Sequence, residues 1–158
     1  RQMCIRDSAI TAPVLDDLTE RQARLILPIL VRQALAGQPI TYGQISEELG
    51  MGHSYLGNHL GIIADALNKL AQRWGEEIPP IQALVLRKDT LLPGDSFGYG
   101  VPRLTEYGSW PKQDKLQAVA REHAGVFAYG KWADVLAALV ALVSCTKPAD
   151  PPAAAVPV

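Results

Sequence analysis

An excess of charge of either sign is missing from this sequence. Fifteen Lys and Arg face sixteen Asp and Glu over 158 residues, a formal net charge of −1. That removes the markedly basic chain on which a global argument for nucleic-acid binding rests, and leaves only a local basic patch. Cysteine is scarce: Cys4 and Cys145 make neither a disulfide framework nor a zinc site, so a reducing cytoplasm is the expected setting. Long apolar runs are missing too. The longest, Val135 to Val143, is too short to span a bilayer, and no membrane segment is expected. No internal repeat is found. The apolar fraction of 48% and the modest charge fit a globular chain, and the length fits one domain.

The ends are set apart from the fold. Arg1 to Ser8 reads as a translated sequencing-adapter artefact, treated as an expression scar would be. That discards Cys4 and leaves Cys145 as the only thiol. From Lys147 onward Pro and Ala dominate, so residues 147–158 are expected to be a disordered tail. One domain is expected over 9–146.

What is there is helical periodicity. Leu56, Leu60, Ile63, Leu67, Leu70 and Trp74 recur in steps of four and three, one stripe of a long helix. It is expected to run from Ser54, a plausible N-cap, to Trp74, roughly 30 Å, and to act as the spine of the core. Thr41 with Gln44 reads as a capping box opening a shorter helix that Gly50 stops. Met51-Gly52-His53 is then the turn of a helix-turn-helix. Thr19 with Gln22 reads as another box, opening a helix to Ala36 whose dense apolar second half, including Leu25 and Leu35, should be buried. Pro28 should kink that helix or mark a local start. Gly57, Gly61 and Ala64 lie on one flank of the long helix, a spacing that suggests a tight helix crossing. Ile81 to Arg87 reads as a strand, with Lys88-Asp89-Thr90 a turn and Leu91-Leu92 a return, together a small β-hairpin or wing. A glycine-punctuated loop to Gly108 follows. Pro111 then suits the first position of a helix to about Ala124, and Lys131 to Val143 is a last helix. The expected fold is mostly α (α+β): a winged-helix-like helix-turn-helix domain with a small hairpin and additional C-terminal helices.

Few residues carry chemistry. Ser54, Tyr55 and Asn58 stand at the start of the long helix, off its apolar stripe, where side chains meet phosphates and base edges. Arg87 and Lys88 at the wing tip are placed to meet the backbone. Asp65, at the centre of the outward face, would repel phosphate, so only the first two turns of the helix can insert. His53, His59 and His123 lack zinc-site spacing and are expected on the surface or on helix flanks. Gly94 to Gly100 lacks the Lys-Ser/Thr ending of a phosphate loop. Cys145 has no nearby His to make it a nucleophile. Asp114, Lys115, Arg121 and Glu122 read as solvated charge on one helix. No enzyme site, metal or cofactor is expected.

Ile40-Thr41-Tyr42-Gly43-Gln44-Ile45, then Leu56-Gly57, then Ile78 to Val85, then a glycine-tyrosine loop, form an order that resembles the DNA-binding domain of alkylguanine-DNA alkyltransferases and alkyltransferase-like proteins. The resemblance covers roughly residues 38–100, and Tyr42-Gly43 and the order of elements carry it. It implies a DNA-binding shape, with Tyr42 near a phosphate and Tyr99 lining a pocket. The departures are specific. Ile81 stands where the family has its alkyl-accepting cysteine, and isoleucine cannot supply the thiolate. Gln82 and Ala83 replace the histidine and arginine, Ser54 or Tyr55 stands in the place of the intercalating arginine, and the long helix is about two turns longer. The expectation is a non-enzymatic DNA-binding or regulatory module for double-stranded DNA, acting through Tyr42, Ser54, Tyr55, Asn58, Arg87 and Lys88. The alternative is a protein-interaction module, a piece of a longer chain, suggested by the near-neutral charge, outward Asp65 and Ile62 on the polar side of the long helix.

Overall fold

The computed structural model describes residues 17–52 and 56–146, and the side chains of 21–52 and 56–140 among them. The chain is mostly helical with one small sheet. Helix α1 (Asp17–Ala36) is followed by strand β1 (Ile40–Thr41), helix α2 (Tyr42–Leu49) and the long helix α3 (Leu56–Trp74). A 3₁₀ turn (Ile81–Leu84) leads into strand β2 (Val85–Leu86). Three further 3₁₀ turns fill 95–109, and helices α4 (Lys112–Ala128) and α5 (Trp132–Thr146) close the chain.

The stripe on α3 packs as its spacing requires: Leu56, Leu60, Ile63, Leu67 and Leu70 are buried, and half-buried Trp74 packs at its end. Yet α1 touches more of the fold than α3 does. It packs against α2, α3, α4, α5 and the Ile81–Leu84 turn, through buried Ile26, Leu27, Leu30 and Val31. Helix α1 already includes Asp17, so Thr19 lies inside it rather than at a cap. It also continues through Pro28. Pro28 is exposed, and water can satisfy the carbonyl that the missing N–H leaves unpaired. Leu25 and Leu35, expected inside, are exposed because they fall on the far side of the helix from the Ile26/Leu30 stripe.

The capping box on α2 is present. Thr41 Oγ1 accepts from the Gln44 amide at 3.1 Å, and Gln44 Oε1 accepts from the Thr41 amide at 2.9 Å. Gly50 ends the helix at φ +67°, a left-handed position that suits glycine.

The expected β-hairpin is replaced by a different arrangement. Val85–Leu86 pairs in parallel with Ile40–Thr41, Ile40 opposite Val85 and Thr41 opposite Leu86. Ile81–Leu84, read as strand, is a 3₁₀ turn. The cause lies in burial: Ile81 through Leu86 are all buried, so no exposed face exists for an alternating strand. The wing becomes a tight turn. The Arg87 carbonyl accepts from the Leu91 amide, and the Arg87 amide donates to the Leu92 carbonyl, both at 2.8 Å. Leu91 takes φ +59° to close it, a conformation that costs an L-residue roughly 1–2 kcal/mol. Pro111 is the N-cap of α4, one position earlier than expected, and α4 continues to Ala128.

Replacing Thr41 by alanine removes one half of the capping box and leaves the Gln44 amide unpaired. Thr41→Ala should lower stability by about 1 kcal/mol in denaturant unfolding.

A candidate binding cleft beside the long helix

The 3₁₀ segment Asp95–Gly100 lies against α3 at one point and stands off it elsewhere. Gly100 makes the contact: a Cβ there would sit 2.8 Å from the Ala64 Cβ, so only glycine fits. Asn68 Nδ2 donates to the Gly100 carbonyl at 3.4 Å. Gly98 is equally forced, since an added Cβ would overlap the Leu104 carbonyl oxygen. The rest of the loop is pinned from behind. Phe97 meets buried Tyr107 edge to face at 5.4 Å, and Lys115 Nζ reaches both Asp95, at 3.2 Å, and the Tyr107 ring, at 5.2 Å from its centre. Arg103 anchors the next turn to α4 by a two-pronged pair with Glu122, at 2.6 and 3.2 Å. Glu122 is buried and paired across the fold, which corrects its reading as solvated charge.

Where the loop stands off α3 it leaves a cleft of about 680 Å³. One wall is the flank of α3 carrying Gly57, Asn58, Gly61 and Asp65. The other is the segment from Pro93 to Gly100, with Tyr42 at one end and Gln82 at the inner wall. A smaller cleft of about 290 Å³ lies beyond Ala64, Gln82 and Gly100, which line both.

Several sequence-derived candidates meet here. Tyr42 lines the cleft, half-buried, and its hydroxyl accepts from the Gly94 amide at 3.3 Å. Burial pushes its pKa up, against the opposing pull of that N–H and of the Arg87 charge. The parallel register explains the neighbour: with Thr41 opposite Leu86, the next residues along are Tyr42 and Arg87. Arg87 is exposed and pairs with Asp89 at 3.3 Å; Lys88 beside it is exposed. Asn58 is exposed on the α3 wall, and Tyr99, 79% exposed, lines the opposite side. Ser54 and Tyr55 lie outside the described residues, as does His53.

Other candidates fall elsewhere. Ile81, the residue in the place of the acceptor cysteine, is wholly buried in the core. His59, expected on the surface or on a helix flank, is 2% exposed, inside. His123 is half-buried with Nε2 at 2.7 Å from the Ala83 carbonyl, a structural contact. Among the described residues no group of three or more His, Cys, Asp or Glu side chains is placed to hold a metal ion. No helix among them is long and apolar enough to cross a membrane. The residue that sequence reasoning passed over is Gln82. Its signal was present, an amide inside the apolar run Ile81 to Leu86. The pairing of Arg103 with Glu122, nineteen residues apart, had no local signal.

Three tyrosines, of which Tyr42 alone lines the cleft, give the fold a pH signature. Tyr107 is pushed up to about 12, mainly by burial and then by the Asp95 charge. Tyr129 is also raised to about 12, by burial and by donating its hydroxyl to Glu76. Tyr42 is raised as well. In each the fold favours the neutral phenol, so the unfolded chain loses its protons first, near pH 10. Their contribution should be intact below about pH 10 and lost as pH rises toward about 12. Denaturant unfolding across that window, with phenolate absorbance followed in parallel, should show stability falling as pH rises.

No protein family, curated protein or solved structure matches this chain.

Proposed function

We propose that the protein is a non-enzymatic DNA-binding or regulatory module of the cytoplasm that meets the phosphate backbone of double-stranded DNA at the rim of this cleft. The observation that carries the reading is the parallel pairing of β1 with β2. It sets Tyr42 beside Arg87, at the mouth of a cleft whose other wall begins with Gly57 and Asn58. A cation, a hydroxyl and an amide are thereby gathered from three separate stretches of chain, the donor types that bind phosphate oxygens. The start of α3 is the element expected to enter the groove, with Ser54 and Tyr55 as its leading contacts. Asp65 confines the approach to that first part of the helix. The order of elements shared with the alkyltransferase DNA-binding domains supports the same reading, while Ile81 leaves no alkyl acceptor.

A second reading is favoured by one observation. Ile62, half-buried, and Tyr99, 79% exposed, line the same cleft, an apolar pairing that suits a protein segment better than a phosphate.

Fluorescence anisotropy of the full chain against a labelled random duplex of about 20 bp separates the two. DNA binding should weaken steeply from low to physiological salt. Arg87→Ala with Lys88→Ala should weaken it and lower the slope of log affinity against log salt by about two. Absence of binding at low salt, or an unchanged slope in the double variant, would leave the protein-segment reading.

A further inference from the structure

Leu91 is out of place in two ways at once. It is the one non-glycine residue with positive φ among the described residues, at +59°, and it is 61% exposed. The left-handed position presses an L-residue's Cβ toward the following carbonyl oxygen, and glycine or asparagine takes it at little cost. The turn demands that conformation. The Arg87 carbonyl accepts from the Leu91 amide, the Arg87 amide donates to the Leu92 carbonyl, and Leu92 is buried with Phe97 and Tyr107. Each of these contacts is made by backbone or by Leu92, none by the Leu91 side chain. Leu25, Leu35 and Leu116 are exposed as well, but they sit in helices, where leucine is a favoured residue. At Leu91 the backbone argues for glycine and the exposure for a polar residue. A side chain kept against both points to a contact outside the fold.

The surroundings select the partner. Arg87, Lys88 and Asp89 in the same turn are exposed, so two cations stand beside the leucine. Asp89 is tied to Arg87 at 3.3 Å. An exposed pair of this kind is worth little in water, and a phosphate can replace the carboxylate. The parallel pairing of β1 with β2 carries the turn out beside Tyr42, at the rim proposed for phosphate contact. Minor-groove proteins use this combination, an aliphatic wedge among phosphate-binding cations, to part a base step and kink the duplex. An apolar pocket on a protein would take the leucine alone; the cations beside it favour a polyanion.

On the DNA reading of this rim, on which the step depends, we infer that Leu91 is an apolar wedge. It enters the minor groove between two base pairs, unstacks them and bends the duplex, while Arg87 and Lys88 hold the neighbouring phosphates. The two backbone hydrogen bonds of the turn fix the wedge before binding, so little ordering is required of it on contact. Pyrimidine–purine steps, which unstack most easily, are the preferred points of entry.

A duplex of about 20 bp, with 2-aminopurine at a central TA step and a dye pair on its ends, tests this with the full chain. At saturation the parent should raise the 2-aminopurine fluorescence and bring the duplex ends closer together. Leu91→Gly and Leu91→Asn should bind about 10-fold more weakly and leave both signals near those of the free duplex. They should keep the parent's salt slope, because no charge is lost, and melt no lower than the parent, because both residues suit the left-handed position. Leu91→Met should retain unstacking and bending. Filling the minor groove with netropsin should suppress the unstacking. Binding by the parent with neither unstacking nor bending would overturn the wedge and leave the phosphate contacts standing. So would bending that persists in Leu91→Gly and Leu91→Asn, or unstacking that persists over netropsin. Markedly earlier melting of both variants would show that the leucine serves the fold, and would overturn it as well. No duplex binding by the parent at low salt would overturn the wedge together with the DNA reading, and leave Leu91 to a protein pocket.

Discussion

Ile81 to Leu86 is buried without a break, and the rest of the fold is built to enclose it. Ile81, Leu84 and Val85 join the core shared by α1, α3 and α5, while Ala83 joins a second cluster under the 95–109 segment with Phe97, Leu104 and Tyr107. The run is thus the seam between two apolar clusters. Each large aliphatic side chain sealed there contributes roughly 1.5–3 kcal/mol, but its backbone must be satisfied in the same place. The chain meets that demand piecewise. A 3₁₀ turn closes on the Pro80 carbonyl, two residues pair with β1, and His123 meets the Ala83 carbonyl. Remove the enclosure on any side and a polar backbone group loses its partner.

The cleft follows from that constraint. Pairing of the run with β1 brings Tyr42 to Arg87. Its one polar side chain, Gln82, comes to the inner wall. The loop that covers the second cluster meets α3 where Gly100 packs against Ala64 and accepts from Asn68, and beside that contact Gly57 and Gly61 line the cleft. A wall with a carboxylate and two glycines faces a loop with exposed Tyr99, and Arg87 and Lys88 sit outside, at the rim.

What was legible in the sequence was local. The α3 stripe and the Thr41/Gln44 capping box depend on spacings of three and four, which the helix itself enforces, and both are present. Of the strand expected from Ile81 to Arg87, Val85–Leu86 is strand and Ile81–Leu84 is a 3₁₀ turn: branched apolar residues favour strands, whereas a run buried on all sides carries no alternation to distinguish strand from turn. The parallel partner lies more than forty residues away, beyond any local signal. Leu25 and Leu35 show the opposite error: apolar density suggested burial, but the stripe decided it. Gly57 and Gly61 were visible as a spacing, but whether small residues admit a helix or leave a trough depends on what stands opposite. Glu122 looked solvated because Arg121 adjoins it in sequence, while its partner Arg103 comes from another turn. Tyr42, Asn58 and Tyr99 were picked out from a resemblance and from helix position. That they share one cleft is a property of the tertiary fold.

The central claim is that this cleft and its rim are the working surface of the molecule. Amide shift mapping of the ¹⁵N-labelled chain with an unlabelled duplex tests it most directly. The account predicts perturbations clustered at Tyr42, Gly57, Asn58, Arg87 and Lys88, with the outer faces of α4 and α5 silent. Perturbations centred on α4 or α5, or scattered without a cluster at the rim, would contradict it.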